Sequence, residues 1–122
     1  MFDEVKARLP VSGTGYDAQI IGEIKAALGA VDPEIRYGWT MGKGQDYTWW
    51  ETVRRLPIVA DDCYIEEGWS FVVHRFTRRA DDPVAPALFR ALDAMPEFTV
   101  SWATSPDPGT EYIHHIFDCE AV

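Results

Sequence analysis

Apolar residues in this chain follow two different periods, and the switches between them outline the fold. Ile20, Ile21, Ile24 and Leu28 form one apolar stripe at helical spacing. Asp17 offers an N-cap and Gly29 a C-cap for that helix. A shorter helical pattern (Phe2, Val5, Leu9) precedes it and stops at Pro10. After Asp32-Pro33 the period drops to two. Ile35, Tyr37 and Trp39 alternate with Arg36 and Gly38, as on a half-exposed strand. Residues 42–46 read as a loop. Tyr47 to Arg55 fits either a strand extension or a short helix.

From Leu56 the pattern sharpens. Leu56 to Ala60 reads as a strand with Pro57 near its start. It ends at Asp61-Asp62 or runs on through Cys63-Tyr64-Ile65, and Glu66-Glu67-Gly68 reads as a turn. Trp69 to Thr77 is the strongest strand, apolar on both faces, which predicts a central position. Pro83 to Met95 forms an amphipathic helix, capped by Asp81 or Asp82, with Val84, Leu88, Leu92 and Met95 buried and Phe89 beside them. Two strands close the chain, Phe98 to Thr104 and Tyr112 to Cys119, joined by a Pro/Gly turn. The expectation is one α+β domain over residues 1–122. It has a small mixed or antiparallel sheet of about four to five strands, with two main helices packed on one face.

Composition adds limits. The 122 residues suffice for one core. The formal net charge is −9 and the sequence pI about 4.6. That balance opposes phosphate binding, so no specific nucleic-acid recognition is expected. No run approaches the roughly 20 apolar residues needed to span a bilayer, so no membrane association is expected. Early acids and no apolar h-region give no secretory signal. Without one, free thiols at Cys63 and Cys119 are expected rather than a disulfide.

Candidate chemistry is thin. Gly38 to Gly44 fails the phosphate-loop pattern: three residues separate Gly38 from the Gly42-Lys43 pair where four are required, and Gly44 stands where Ser or Thr should. His74, His114, His115, Cys63 and Cys119 lack metal-ligand spacing, and His114 and His115 point to opposite faces of a strand. The acidic pairs 61–62, 66–67 and 81–82 fit solvated turns. No catalytic residue, cofactor or metal is expected. The unusual feature is aromatic. Trp39, Tyr47, Trp49 and Trp50 lie within twelve positions beside a glycine-rich loop. They fit either core packing or a subunit interface, where Trp and Tyr dominate hot spots. On the interface reading, Trp49→Ala with Trp50→Ala would weaken self-association and leave the fold intact.

The run Leu56-Pro57-Ile58-Val59, then Trp69 to Arg75, helix, strand, Pro/Gly turn and closing strand resembles the tail-terminator, or tail-completion, proteins of long-tailed phages and gene transfer agents. The resemblance covers most of the chain. It implies a non-enzymatic homo-oligomeric ring, a homo-hexamer, at the head-proximal end of the tail tube. Its partners would be further copies of itself, the tail tube protein and the head-completion or connector protein. Its place would be the virion, after assembly in the host cytoplasm. Heterologous contacts would close the ring, and an acidic lumen would let DNA pass. The competing reading is a small acidic immunity or inhibitor protein that covers a basic toxin or nuclease. A small-molecule-binding or enzymatic domain walled by the aromatic cluster is the third.

Overall fold

The computed structural model describes residues 14–42, 44–60 and 63–121. The expected helix over Phe2, Val5 and Leu9 lies outside them. Helix α1 spans Thr14–Val31, strand β1 Arg36–Tyr37, β2 Tyr47–Ala60 and β3 Cys63–Thr77. Helix α2 spans Val84–Asp93, followed by β4 Phe98–Pro106 and β5 Ile113–Ala121. The sheet order is β1-β2-β3-β5-β4. Only the β1–β2 pairing is parallel, so this is a five-stranded mixed sheet in an α+β fold, with β3 central as expected.

The helical stripes bury as their spacing dictates. Ile20, Ile24 and Leu28 of α1 join Ala85, Leu88 and Leu92 of α2 over one sheet face. That face carries Trp50, Phe71, Val73, Phe117, Cys119 and Phe98, in strict alternation along their strands. Val84, Phe89 and Met95 lie at the rim of this core rather than inside it, and Ala85 takes the central place. A small residue there lets α2 approach closely.

Several boundaries differ from the sequence expectation. Asp17 and Gly29 lie inside α1, not at its caps. The helix runs on to Val31 and closes with Asp32 N–H donating to the Leu28 carbonyl at 2.9 Å. The next turn is an Asx turn, in which the Asp32 carboxylate accepts the Glu34 N–H at 3.0 Å. β1 is only two residues long because Gly38, at φ +94°, turns the chain away from the sheet. Its N–H still donates to the Trp50 carbonyl at 2.8 Å. Trp39 therefore lies beyond the strand.

The segment Tyr47 to Arg55 and the strand from Leu56 are one element, β2. A register shift between Val53 and Leu56 breaks the alternation there and hides the continuity from sequence reading. Glu66-Glu67-Gly68 is not a turn. It lies within β3, pairing with Ile58, Pro57 and Leu56, and the hairpin reverses between the paired Ala60 and Cys63. Pro57 sits mid-strand, tolerated because no third strand pairs with β2 at that point among the described residues.

Cys119 is a buried free thiol, which burial pushes up to about 12. It pairs with Phe71, eight residues along β3 from Cys63. That separation is roughly 26 Å in a strand, against the about 7 Å limit for a disulfide.

Trp50 is 1% exposed and meets Phe71 edge-on, with ring centroids 5.9 Å apart. The Trp49/Trp50 double substitution would therefore not spare the fold, which corrects the sequence expectation. Trp50→Ala alone is predicted to cost about 3–5 kcal/mol. Denaturant unfolding of the single variant measures this. A loss below about 1 kcal/mol would show that Trp50 is not a core residue.

Candidate functional site

The four aromatics singled out in the sequence go to three different places. Trp50 is in the core. Trp49 and Tyr47 lie on the opposite sheet face, because neighbours in a strand alternate. Trp39 is 71% exposed, in the loop between β1 and β2. Met41 (65%) and Tyr37 (50%) flank it, two residues on either side. The exposed cluster is thus Tyr37, Trp39 and Met41, and of the four expected interface residues only Trp39 belongs to it. Gly42 closes this loop against Tyr47. A methyl group on Gly42 would run into the Tyr47 ring, so only glycine fits.

Below the loop is a cleft of about 500 Å³ with Arg75 at its base. Arg75 sits on the helix-facing side of β3 and is buried. Its Nε and Nη2 donate to the two Asp82 carboxylate oxygens at 3.1 and 2.9 Å. Its Nη1 donates to Thr48 Oγ1 at 3.2 Å. Asp46 and Asp32 stand further off, at 3.7 and 3.8 Å. The fork of a guanidinium matches this bidentate use. Asp82 Oδ2 also accepts the Ala85 N–H at 3.0 Å, so the same carboxylate caps α2. Burial pushes the Asp46 carboxyl up. Donation from Thr77 and from the Arg78 backbone and side chain, together with the Arg75 charge, outweighs that and holds it below its ordinary value. The guanidinium is already satisfied. The cleft therefore presents a junction of structural elements, its lining mixing Asp32, Glu34 and Asp46 with Arg36 and Arg75.

The face opposite the helices carries a column of stacked rings. Trp49 lies on His74 with centroids 4.1 Å apart, His74 on His114 at 5.1 Å, His114 on Phe76 at 4.2 Å and Phe76 on Tyr47 at 4.8 Å. Cross-strand register produces it: Trp49 opposes His74, Tyr47 opposes Phe76 and Phe76 opposes His114. Tyr112 closes the end edge-on to Tyr47 and donates its hydroxyl to the Gln45 carbonyl at 2.7 Å. His74 Nδ1 and His114 Nε2 are 2.9 Å apart, so one must donate. His74 Nε2 points toward Glu51 at 3.6 Å. A lone pair facing that carboxylate would be repelled. The favoured tautomers place N–H on His74 Nε2 and let His114 Nε2–H donate to His74 Nδ1. The Trp49 Nε1–H has no partner among the described residues.

His115 lies on the helix-facing side. Its Nδ1 accepts the Trp102 indole N–H at 3.0 Å and lies 3.0 Å from Thr104 Oγ1. Indole only donates, so Nδ1 must carry the lone pair.

Among the described residues no three His, Cys, Asp or Glu side chains are placed to hold a metal ion. Sequence reading missed Arg75 and the histidine column. The signals present were a lone arginine inside an apolar strand and two histidines of matching parity on strands that pair. No family model matches this chain, and none of the curated proteins matches it.

Two predictions follow from these contacts. Asp82→Ala removes both the bidentate partner of a buried cation and a helix cap, and should cost about 3–5 kcal/mol. Asp32→Ala removes an ion-pair contact that makes no hydrogen bond to Arg75, together with the Asx-turn bond from Glu34 N–H, and should cost about 1–2 kcal/mol, less than Asp82→Ala. Equal costs in paired urea titrations would refute this ranking.

Burial holds all three imidazoles below their ordinary 6.5. For His74, Glu51 and Asp118 oppose it; for His114 the His74 charge adds to it; for His115 Asp82 opposes it. The unfolded chain therefore binds more protons as the pH falls through that value. Stability should be full above about pH 7 and decline between about 6.5 and the lower native values. Unfolding midpoints measured from about pH 7.5 to 5 should fall; a flat profile would contradict the burial argument.

Proposed function

We propose that this chain is an assembly subunit of a phage-like tail. It would be a terminator that closes as a homo-oligomeric ring at the head-proximal end of the tail tube, against the head-completion protein. The observation that carries this reading is the hairpin of β2 and β3. β5 pairs with β3 only from Ser70 to Thr77, and β1 pairs with β2 only at Trp49 and Trp50. From Val53 to Trp69 the two strands pair with each other alone among the described residues.

An isolated two-stranded hairpin is marginal in water. This one carries Leu56, Ile58, Val59, Tyr64 and Ile65 together with the charged pairs Arg54-Arg55, Asp61-Asp62 and Glu66-Glu67. A projecting arm of that composition suits a chain that is completed by a neighbouring subunit. The exposed Tyr37, Trp39 and Met41 offer a second contact of the aromatic type found at interfaces. An arm meeting a different surface on the next copy gives a heterologous contact, the kind that closes rings. A net charge of −9 suits a lumen that DNA must pass without adhesion.

One observation favours a second reading. Met41 lines a cleft together with Asp32 and Glu34, and an apolar anchor beside acids also fits a protein that masks a basic toxin or nuclease.

Negative-stain imaging with mass from light scattering decides between them. The terminator reading expects closed rings, alone or on tail-tube ends. Replacing residues 54–69 with Asn-Gly preserves the Val53–Ser70 pairing and should give a folded chain that no longer forms rings. A wild-type monomer that binds one basic protein in a one-to-one complex, and never a tube end, would sink the terminator reading.

A further inference from the structure

Edge strands are normally protected by charge, proline, bulges or shortness. Among the described residues β4 is the sheet edge opposite β1, and over most of its length it has none of these. It is nine residues long and pairs with β5 in unbroken register from Phe98 to Pro106. Its only proline is the last residue. No charged residue lies between Glu97 and Asp107, in a chain that is 25% charged. Ser101, Ala103, Thr104 and Ser105 are exposed, and Trp102 is 39% exposed.

The strand also reads alike from both ends. Around Trp102 the flanking pairs are Ser101 and Ala103, both small, then Val100 and Thr104, both β-branched. Thr99 and Ser105 follow, both hydroxylic, then Phe98 and Pro106, and finally the acids Glu97 and Asp107. Antiparallel pairing about a two-fold axis brings each member of such a pair opposite the other.

We propose that β4 pairs with β4 of a second copy of this chain, antiparallel, with the two-fold axis at Trp102. The two five-stranded sheets become one continuous sheet. Trp102 meets Trp102 of the second copy, both on the helix-facing side, where each already stacks on its own Phe89 at 5.3 Å. Ser101 meets Ala103 of the second copy, so nothing bulky obstructs the backbones. Thr99 meets Ser105 of the second copy, a pairing that sheets favour through hydroxyl hydrogen bonds. The cost sits at the ends, where Glu97 meets Asp107 of the second copy. Both acids are half-buried rather than enclosed, and their repulsion is screened by salt. The contact is isologous and closes on itself, so it stops at two copies rather than propagating. It uses neither the 53–69 arm nor the Tyr37–Met41 loop and does not rest on the terminator reading.

The test combines sedimentation with cross-linking on the full chain. Wild type should show a concentration-dependent dimer that tightens from about 0.05 to 0.5 M salt. Ala103→Lys, at an exposed position, should weaken that dimer about tenfold or more, while an unchanged thermal midpoint shows that it still folds. The register is checked by mixing Ser101→Cys chains with Ala103→Cys chains under oxidation. Mass spectrometry should find the 101–103 disulfide in the mixture, and no 101–101 or 103–103 disulfide in either variant alone. A monomer at every concentration and salt would overturn the proposal. So would an oligomer, ring or otherwise, that lacks the 101–103 link.

Discussion

The fold depends on one buried cation. Arg75 lies buried on the helix-facing side of β3, with Thr48 and His115 opposite it on the two flanking strands. Every element that approaches it must bring an acceptor. α1 ends on Asp32, β2 begins at Asp46 and Thr48, and α2 begins on Asp82. These are the points where the two helices and the sheet meet. Stability alone does not explain such a group, since a well-packed apolar residue in its place often serves as well or better. Its effect here is positional. Asp82 can cap α2 and hold Arg75 together only if the helix starts at one height above the sheet. Hydrophobic stripes fix which face α2 buries; the guanidinium fixes where along the sheet the helix begins.

The two faces of the sheet solve burial differently. One is covered by α1 and α2 through aliphatic and aromatic contacts. On the other, rings stack against each other across strands, and two of the stacked rings are histidines. Stacking shields each ring by its neighbours without a second layer of structure, which is how Phe76 reaches 8% exposure away from the helix-covered core. The arrangement requires neutral imidazoles. A proton added to His74 or His114 enters a partly desolvated column beside another imidazole, so this half of the structure is the more sensitive to acid.

The elements that sequence reading placed well are those where one period runs unbroken. The alternation in β4 and β5, the stripe of α1 and a cap at Asp81 or Asp82 were all legible because side-chain parity and capping are local properties. Errors arose where geometry outside the segment intervened. The bulge between Val53 and Leu56 resets the alternation, so one strand looked like two segments. Gly68 and two glutamates looked like a turn, but cross-strand pairing with Leu56, Pro57 and Ile58 keeps them extended. The aromatic cluster stayed open between core and interface. Trp49 and Trp50 were grouped by proximity in sequence, yet adjacent strand residues must part to opposite faces. Only Trp39, released from the sheet by Gly38, became a surface residue. The Arg75 junction was not legible at all, because Asp32, Asp46 and Asp82 come together only in space.

A domain of this size can bury its own core and still be incomplete. Among the described residues three features have no covering partner: the 53–69 arm, the Tyr37–Met41 loop and the outer edge of β4. They point in different directions along the molecule. The arm extends from one end of the central strands. The loop lies beside β1, and β4 lies at the opposite edge. An inhibitor that covers one partner needs a single contiguous surface. A subunit of an assembly needs separate contacts for separate neighbours, and unlike contacts must be energetically distinct so that they form in order. The proposed strand pairing at β4 would bring acids together at its ends, whereas the arm mixes apolar residues with the pairs Arg54-Arg55 and Glu66-Glu67 and would meet a neighbour through both. The distribution of these contacts around the fold, more than any single residue, is what favours the assembly reading over the inhibitor reading.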